Sequence, residues 1–309
     1  MKAPVTSHPA APATSGVDVW SHAKNRKADV AQERQHGGDE RRAKRPPTGG
    51  APRRGAGDRD RRGGPPRSSG PDRARRAQPQ GSDRDPRSDR NAPPIPANIE
   101  AKQLAPDVRG ELMTLDKATA DYVAKHLVAA GELLDEDPEA ALKHAQAART
   151  RSGRIAAVRE AVGIAAYHCG DWAQALAELR AARRMGSKSP LLALIADCER
   201  GVGRPQRAID LSRTPEAEAL TGDDADELRI VVAGARSDLG QHEQALSALS
   251  TPALDPTKTG LTSARLFYAY ADTLLVLGRQ DEALQWFMHA AAADLEGATD
   301  AEERITELS

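Results

Sequence analysis

The sequence predicts an all-α protein body, a solenoid of about five helical hairpins, that follows a long N-terminal tail. Three observations favour this fold. Apolar residues recur at helical spacing from about residue 106 onward, and the longest β-branched run, Ile230-Val231-Val232, lies inside such a helical pattern. A short turn-plus-helix segment recurs five times. The composition also changes near residue 98, so we divide the chain into a tail, 1–98, and a helical body, 99–309.

The tail is poor in the residues that build a core. Residues 1–98 hold 14 of the 21 prolines and 11 of the 25 glycines, but only one of the nine aromatic residues. They carry 21 Lys and Arg against 11 Asp and Glu, a net charge of +10. Because such a segment cannot bury enough apolar surface to offset its conformational entropy, the composition predicts disorder.

The most basic part of the tail is 41–90, with 16 Arg or Lys against 6 Asp. Arg53-Arg54-Gly55 and Arg61-Arg62-Gly63-Gly64 resemble the Arg-Gly clusters of RNA-binding tails. Such tails usually interleave aromatic residues for base stacking, and none occurs here. Three interpretations stay open: a solubilising tail, a nucleic-acid contact, or a contact with an acidic protein surface. The body is one such surface, since it has 23 basic and 34 acidic residues, a net charge of −11.

The body opens with three predicted helices, and prolines mark the starts of two of them. Pro106-Asp107 begins a short capping helix, because proline is tolerated in the first turn. A second helix is predicted from about 118 to 134, and Asp137-Pro138 starts a third. Residues 155–184 then predict two antiparallel helices that meet at Gly170-Asp171.

From residue 137 the same turn-plus-helix pattern repeats. Its alanine markers, at spacings of 34, 33, 37 and 38 residues, are Ala141, Ala175, Ala208, Ala245 and Ala283. Its turn glycines, five residues before the marker, are Gly170, Gly203, Gly240 and Gly278. Glycine ends a helix there because it adopts a positive φ at no steric cost.

These segments resemble the tetratricopeptide repeat, whose period is 34 residues. The family's small and apolar packing positions fall, in the second repeat, on Gly163, Gly170, Ala175, Leu179 and Ala182. The family's first-helix tryptophan is missing, and Pro215 and Pro252 end the second helices of repeats three and four early. The resemblance implies a right-handed superhelix whose first helices line a concave groove for a peptide or helix of a partner.

The resemblance also assigns groove positions. The eight candidate contacts are Glu160, Tyr167, Asp197, Arg200, Glu227, Arg265, Tyr268 and Asp272. Further polar groove positions are His126, His168 and Asp238. With five acids and two arginines among them, the groove is expected to favour basic or neutral partner segments. Members of the family that clamp a terminal carboxylate use Lys, Arg and Asn, so that role is not implied here.

No catalytic motif stands in the sequence. A Walker loop, a dinucleotide fingerprint, a nucleophile elbow and a metal-spaced His pair are all missing, so we expect no enzyme activity, no metal and no cofactor. The five body histidines are expected on the surface or in the groove, and Cys169 and Cys198 as small packing residues. No apolar run is long enough for a signal peptide or a membrane span, which predicts a cytoplasmic protein.

Two function classes remain open at this point. One is an adaptor without catalytic activity, whose groove binds a protein or peptide partner. The other is an RNA- or ribosome-associated protein that contacts nucleic acid through 41–90.

Overall fold

A computed structural model describes residues 92–309. This part contains thirteen α-helices and two 3₁₀ helices, and no β-strand occurs between residues 92 and 309. The prediction of an all-α body is therefore confirmed for this part of the chain. Most of the tail expected to be disordered, including both Arg-Gly clusters, lies outside the described residues.

Three short helices open the described part: a 3₁₀ helix at Ala101–Gln103, α1 at Pro106–Glu111 and a second 3₁₀ helix at Leu112–Thr114. Pro106 stands at a first-turn position of α1, where its missing N–H forfeits no hydrogen bond. Ile99 and Leu104 are only 5% and 2% exposed, and Ile95 packs against the same core. The packed body therefore includes residues that precede 99.

Twelve helices follow: α2 (Lys117–Leu133), α3 (Pro138–Ser152), α4 (Ala156–His168), α5 (Trp172–Arg184), α6 (Leu192–Gly201), α7 (Pro205–Leu211), α8 (Pro215–Glu218), α9 (Gly222–Asp238), α10 (His242–Leu249), α11 (Leu261–Val276), α12 (Gln280–Ala293) and α13 (Ala301–Leu308). Helices α2 and α3, α4 and α5, α6 and α7, α9 and α10, and α11 and α12 pack as consecutive pairs. Each pair contacts the next one, and α13 packs on α12. The apolar core consequently runs from pair to pair.

Aspartate begins three of these helices. Asp116, Asp137 and Asp171 are the N-cap residues of α2, α3 and α5, and each accepts a 3.0 Å hydrogen bond from the backbone N–H three residues on. The carboxylate satisfies a donor that the first helical turn leaves unpaired, and it also lies at the positive end of the helix dipole.

The same backbone turn joins the helices of the last four pairs. The turn glycines Gly170, Gly203, Gly240 and Gly278 have φ of 71°, 76°, 71° and 76°. In each turn the next residue's N–H donates to a carbonyl five residues back, as from Asp171 to Ala166 at 2.9 Å and from Arg204 to Glu199 at 2.8 Å. This is the Schellman geometry, in which a residue with positive φ ends the helix.

Small residues let the paired helices approach closely. A Cβ atom at Gly163 would lie 2.7 Å from Cγ of Leu179, closer than real side chains come. Six helix markers have no exposed surface, namely Ala175, Leu179, Ala182, Ala208, Ala245 and Ala283. The stripe of small residues is therefore a packing surface between α4 and α5 and at the corresponding places in later pairs.

Two second helices are short. Helices α7 and α10 have seven and eight residues, whereas α5 has thirteen. At the end of α10, Arg229 of α9 donates to the carbonyls of Leu249 and Pro252, the latter at 2.8 Å. The guanidinium thereby pairs the carbonyl of the last residue of α10, which the shortened helix leaves open.

Among residues 92–309, no helix has the length and apolar character needed to cross a lipid bilayer.

Candidate functional site

The candidate site is the surface along the first helices of the pairs. Helix α2 contacts α4, α6 contacts α9, and α9 contacts α11. The eight candidate contacts lie on α4, α6, α9 and α11. We call the surface that carries them the first-helix face.

Three of these helices are joined by a chain of polar contacts. The Tyr167 hydroxyl donates to Oδ2 of Asp197 at 2.6 Å, and Asp197 accepts from Arg200 at 2.7 Å. Arg200 then donates to both carboxylate oxygens of Asp238, at 2.8 and 3.2 Å. Tyr167, Asp197, Arg200 and Asp238 therefore form a polar relay that links α4 to α6 and α6 to α9.

Burial changes the chemistry of this relay, most clearly at Tyr167. Desolvation raises the pKa of the Tyr167 hydroxyl far above its ordinary value, and the Asp197 carboxylate raises it further. The hydroxyl thus stays a proton donor at any physiological pH. The indole ring of Trp172 packs edge-on against Tyr167, with ring centres 5.1 Å apart, and holds the phenol in place.

The guanidinium of Arg200 lies directly over Gly234 of α9. A Cβ atom at Gly234 would come within 2.6 Å of Cζ of Arg200. The missing side chain therefore leaves the space in which Arg200 reaches Asp238. The repeat positions inferred from the sequence do not include Gly234, and its spacing from the turn glycines gives no signal of this role.

A second ion pair extends the face to α11. Arg265 donates to Oε1 of Glu227 on α9 at 2.6 Å, and both side chains are largely buried. Burial raises the pKa of Glu227, although the Arg265 charge opposes this effect. Since Arg200 and Arg265 each neutralise acids of the face, its charge is lower than the number of acidic residues indicates.

Glu160 is not accessible to a partner. It lies near the start of α4, and its carboxylate oxygens accept hydrogen bonds from Ser187 and Ser189, both at 2.7 Å. Burial raises its pKa, and the nearby carboxylates of Glu111 and Asp107 add a smaller rise against the lowering effect of the serines. Glu160 therefore holds the segment that precedes α6 against α4.

Tyr268 and Asp272 lie beside the C-terminal helix. The Tyr268 ring packs edge-on against Phe287, with ring centres 5.2 Å apart. Arg304 of α13 lies 3.8 Å from Asp272 and over the ring of Phe287. This end of the first-helix face therefore lies next to α13, and Arg304 of α13 interacts with it.

The expectation that all body histidines lie on the surface or in the groove is wrong for His126 and His144. Both rings are buried between α2 and α3, where they contact each other. Their separation of 18 residues places them on two helices of one pair, and no single-helix pattern shows that they meet.

Sequence reasoning also missed two buried glutamates. Glu178 of α5 receives hydrogen bonds from Arg149 and Arg159, and Glu199 of α6 receives one from Arg180. Their partners lie 19 to 29 residues away, on neighbouring helices. A local reading of charge predicts only solvated helix faces at these positions.

Within the described part of the chain, no three metal-ligating side chains come together. Cys169 and Cys198 are both free thiols, and burial raises the pKa of each.

No protein-family model matches the sequence. No curated protein matches it either.

Proposed function

We propose that the body is a tetratricopeptide-like solenoid of about five repeats, which serves as a scaffold without catalytic activity. Support comes from the four glycine turns, which share one hydrogen-bond geometry, and from the contacts of each helix pair with the next. Such pairs cannot bury their apolar faces alone and gain stability from their neighbours.

The partner is a protein or peptide that binds the first-helix face. The observation that carries this proposal is the polar relay, because it fixes Tyr167 and Arg200 in a defined geometry on adjoining first helices. Arginine and tyrosine residues held rigid by their neighbours are typical of binding hot spots. Because acids and arginines of this face pair with each other, we expect a partner of mixed polarity rather than a strongly basic one.

Affinity capture with matched variants tests this function. Wild-type chain, Arg200→Ala and Arg207→Ala are used as baits, and the retained proteins are quantified by mass spectrometry. Both substitutions remove one positive charge, but Arg207 is exposed on α7, away from the first-helix face. A partner of the face should be lost about tenfold or more with Arg200→Ala and retained with Arg207→Ala.

The opposite pattern, or equal retention of every protein by the two variants, would exclude the first-helix face as the binding surface. Circular dichroism of both variants serves as the control that the helical content is unchanged.

A second candidate function is RNA binding through 41–90. The excess of 16 Arg or Lys over 6 Asp favours it, since cationic side chains displace counterions from a phosphate backbone. RNA binding by the full chain should weaken steeply with salt and should be lost when 41–90 is deleted. Binding that survives the deletion would assign any RNA contact to another part of the chain.

A further inference from the structure

A buried pair of histidines holds the first two long helices together. His126 of α2 and His144 of α3 are 1% and 3% exposed, and their Nδ1 atoms are 2.9 Å apart. At this distance one Nδ1 carries a proton and donates it, while the other accepts with its lone pair. The contact therefore requires two neutral rings in opposite tautomers, or one charged ring beside a neutral one.

The number of protons on the pair decides whether the contact survives. One additional proton can bind the outer nitrogen, Nε2, of the donor ring and leave the hydrogen bond intact. A second additional proton has to bind Nδ1 of the acceptor ring, because its Nε2 already carries one. Two N–H groups then face each other at 2.9 Å, and two positive charges share a buried site.

A tyrosine and an arginine lie beside the pair. The Tyr122 ring of α2 lies 4.4 Å from the His126 ring, and the guanidinium of Arg151 of α3 lies 4.7 Å from the centre of the Tyr122 ring. The positive charge of Arg151 disfavours a proton on His126.

Burial and the neighbouring charges all lower the pKa values of this histidine pair. Burial, followed by the fields of His144 and Arg151, lowers the pKa of His126 to about 4, and burial lowers the pKa of His144. In an open helix pair both rings return to a pKa of about 6.5. Because the folded pKa values are depressed, the closed pair keeps its full stability above pH 6.5 and loses it as the pH falls toward 4.

We propose that the His126–His144 contact is an acid-operated latch, whose double protonation separates α2 from α3 while the later helix pairs remain folded. Opening would expose the apolar residues that α2 and α3 now bury against each other, such as Leu127 and Ala145. The first helix pair would thereby present a new apolar surface only in acid.

Acid has the opposite effect on two later sites, which makes the latch distinguishable from general acid unfolding. Glu160 on α4 and Glu227 on α9 have pKa values raised mainly by burial. A carboxyl group with a raised folded pKa binds its proton more tightly in the folded state, so its contribution to stability increases as the pH falls. As the pH falls from 6.5 to 4.5, acid therefore weakens the latch but does not weaken the contribution of these glutamates.

Hydrogen exchange of the full chain between pH 7 and 4.5 tests the latch, with protection factors corrected for intrinsic exchange rates. Protection in α2 and α3 should fall below pH 6.5 by up to about tenfold per pH unit for each histidine. Protection in α9, α11 and α12 should stay constant or increase. Unchanged protection in α2 and α3, or a parallel fall in all of these helices, would overturn the proposal.

The double variant His126→Asn/His144→Asn isolates the cause. Asparagine places an amide group near the position of Nδ1 but does not titrate, so the pH dependence of α2 and α3 should disappear. His242→Asn is the matched control, since His242 stands at the start of α10, and it should keep the wild-type pH dependence. A double variant that still opens in acid would contradict the latch.

Should the double variant fail to fold, NMR titration of the wild-type chain decides instead. A His126 ring that titrates well below pH 6.5, together with the opening of α2 and α3, supports the latch. Titration near 6.5 while both helices remain protected would exclude it.

Discussion

At the scale of single residues, glycine has two different roles in this chain. The turn glycines, such as Gly170 and Gly203, have positive φ, and a Cβ atom there would meet open space. Gly163, Gly201 and Gly234 instead touch a side chain of a neighbouring helix. Substitution is therefore expected to cause backbone strain at the first kind and steric overlap at the second.

We predict that Gly201→Ala destabilises the protein by about 1–3 kcal/mol, because a new Cβ atom would lie 2.4 Å from Cγ of Trp172. Urea unfolding followed by circular dichroism measures this. Gly110→Ala is the control within another helix: nothing lies within 4 Å of its Cβ position, and alanine should stabilise the folded state by about 0.5–1 kcal/mol. Equal effects of the two substitutions would mean that Trp172 does not pack against α6 in this way.

The two roles differ in how well a sequence reveals them. A glycine five residues before four of the five alanine markers is visible as a repeated pattern, and helix termination explains it. The need for Gly234 depends on Arg200, which lies 34 positions away on another helix, so no local pattern predicts it. The same applies to His144, whose partner His126 lies on the preceding helix.

At the scale of helices, buried glutamates connect one element to the next. Glu199 of α6 is 1% exposed in its side chain and pairs with Arg180 of α5, while Arg204 lies 3.9 Å away. A buried carboxylate is tolerated only with such partners, because isolated burial of the charge is costly. These pairs fix which helices adjoin, rather than adding much net stability.

Removal of the arginine from this pair should therefore be costly. We expect Arg180→Met to destabilise the protein by about 3 kcal/mol, since it leaves Glu199 with only the more distant Arg204. Arg183→Met removes an arginine from the same helix, but its partner Glu216 is 43% exposed, so the loss should stay below about 1 kcal/mol. Thermal and urea unfolding of both variants provide the comparison, and similar losses would argue against a buried Glu199.

At the scale of the whole molecule, each helix pair contacts mainly its neighbours. Leu179 has no exposed surface and packs on Gly163, so Leu179→Asp buries a carboxylate at a cost of several kcal/mol or forces its protonation. Hydrogen exchange should show lost protection in α2 to α6 and nearly wild-type protection in α11 and α12. Leu295→Asp, at a site that is 76% exposed, should leave all helices protected.

Uniform loss of protection after Leu179→Asp would show that the helix pairs unfold as a single cooperative unit. That result would count against the repeat-like transmission of stability assumed in the proposed solenoid.

Truncation examines where the packed body begins. Deletion of 1–91 should leave the melting temperature unchanged, because the described core is formed by later residues. Deletion of 1–104 should lower it, since Ile99 and Leu104 are buried and each contributes about 1.5–3 kcal/mol. A large fall in melting temperature on deletion of 1–91 would show that the tail supports the fold.

Much of the helical body could be predicted, whereas the first-helix face could be predicted only in outline. Helix starts at Pro106 and Asp137 follow from local capping chemistry, and the structure has helices at both places. The repeat positions inferred from the sequence included Tyr167, Asp197 and Arg200, but they did not indicate that these side chains bond to each other. They also included Glu160, whose accessibility depends on two serines 27 and 29 residues later in the chain.

The polar contacts between first helices also bear on how the chain folds. Tyr167 and Asp197 are 30 residues apart, and Arg200 and Asp238, like Glu227 and Arg265, are 38 apart. Each such contact joins residues that are about one helix pair apart in sequence, so it does not require distant parts of the chain to meet. Helical proteins dominated by local contacts generally fold faster than proteins dominated by long-range pairings. Contacts between two adjoining helix pairs can thus form as soon as both pairs have left the ribosome, before the later helices have been made.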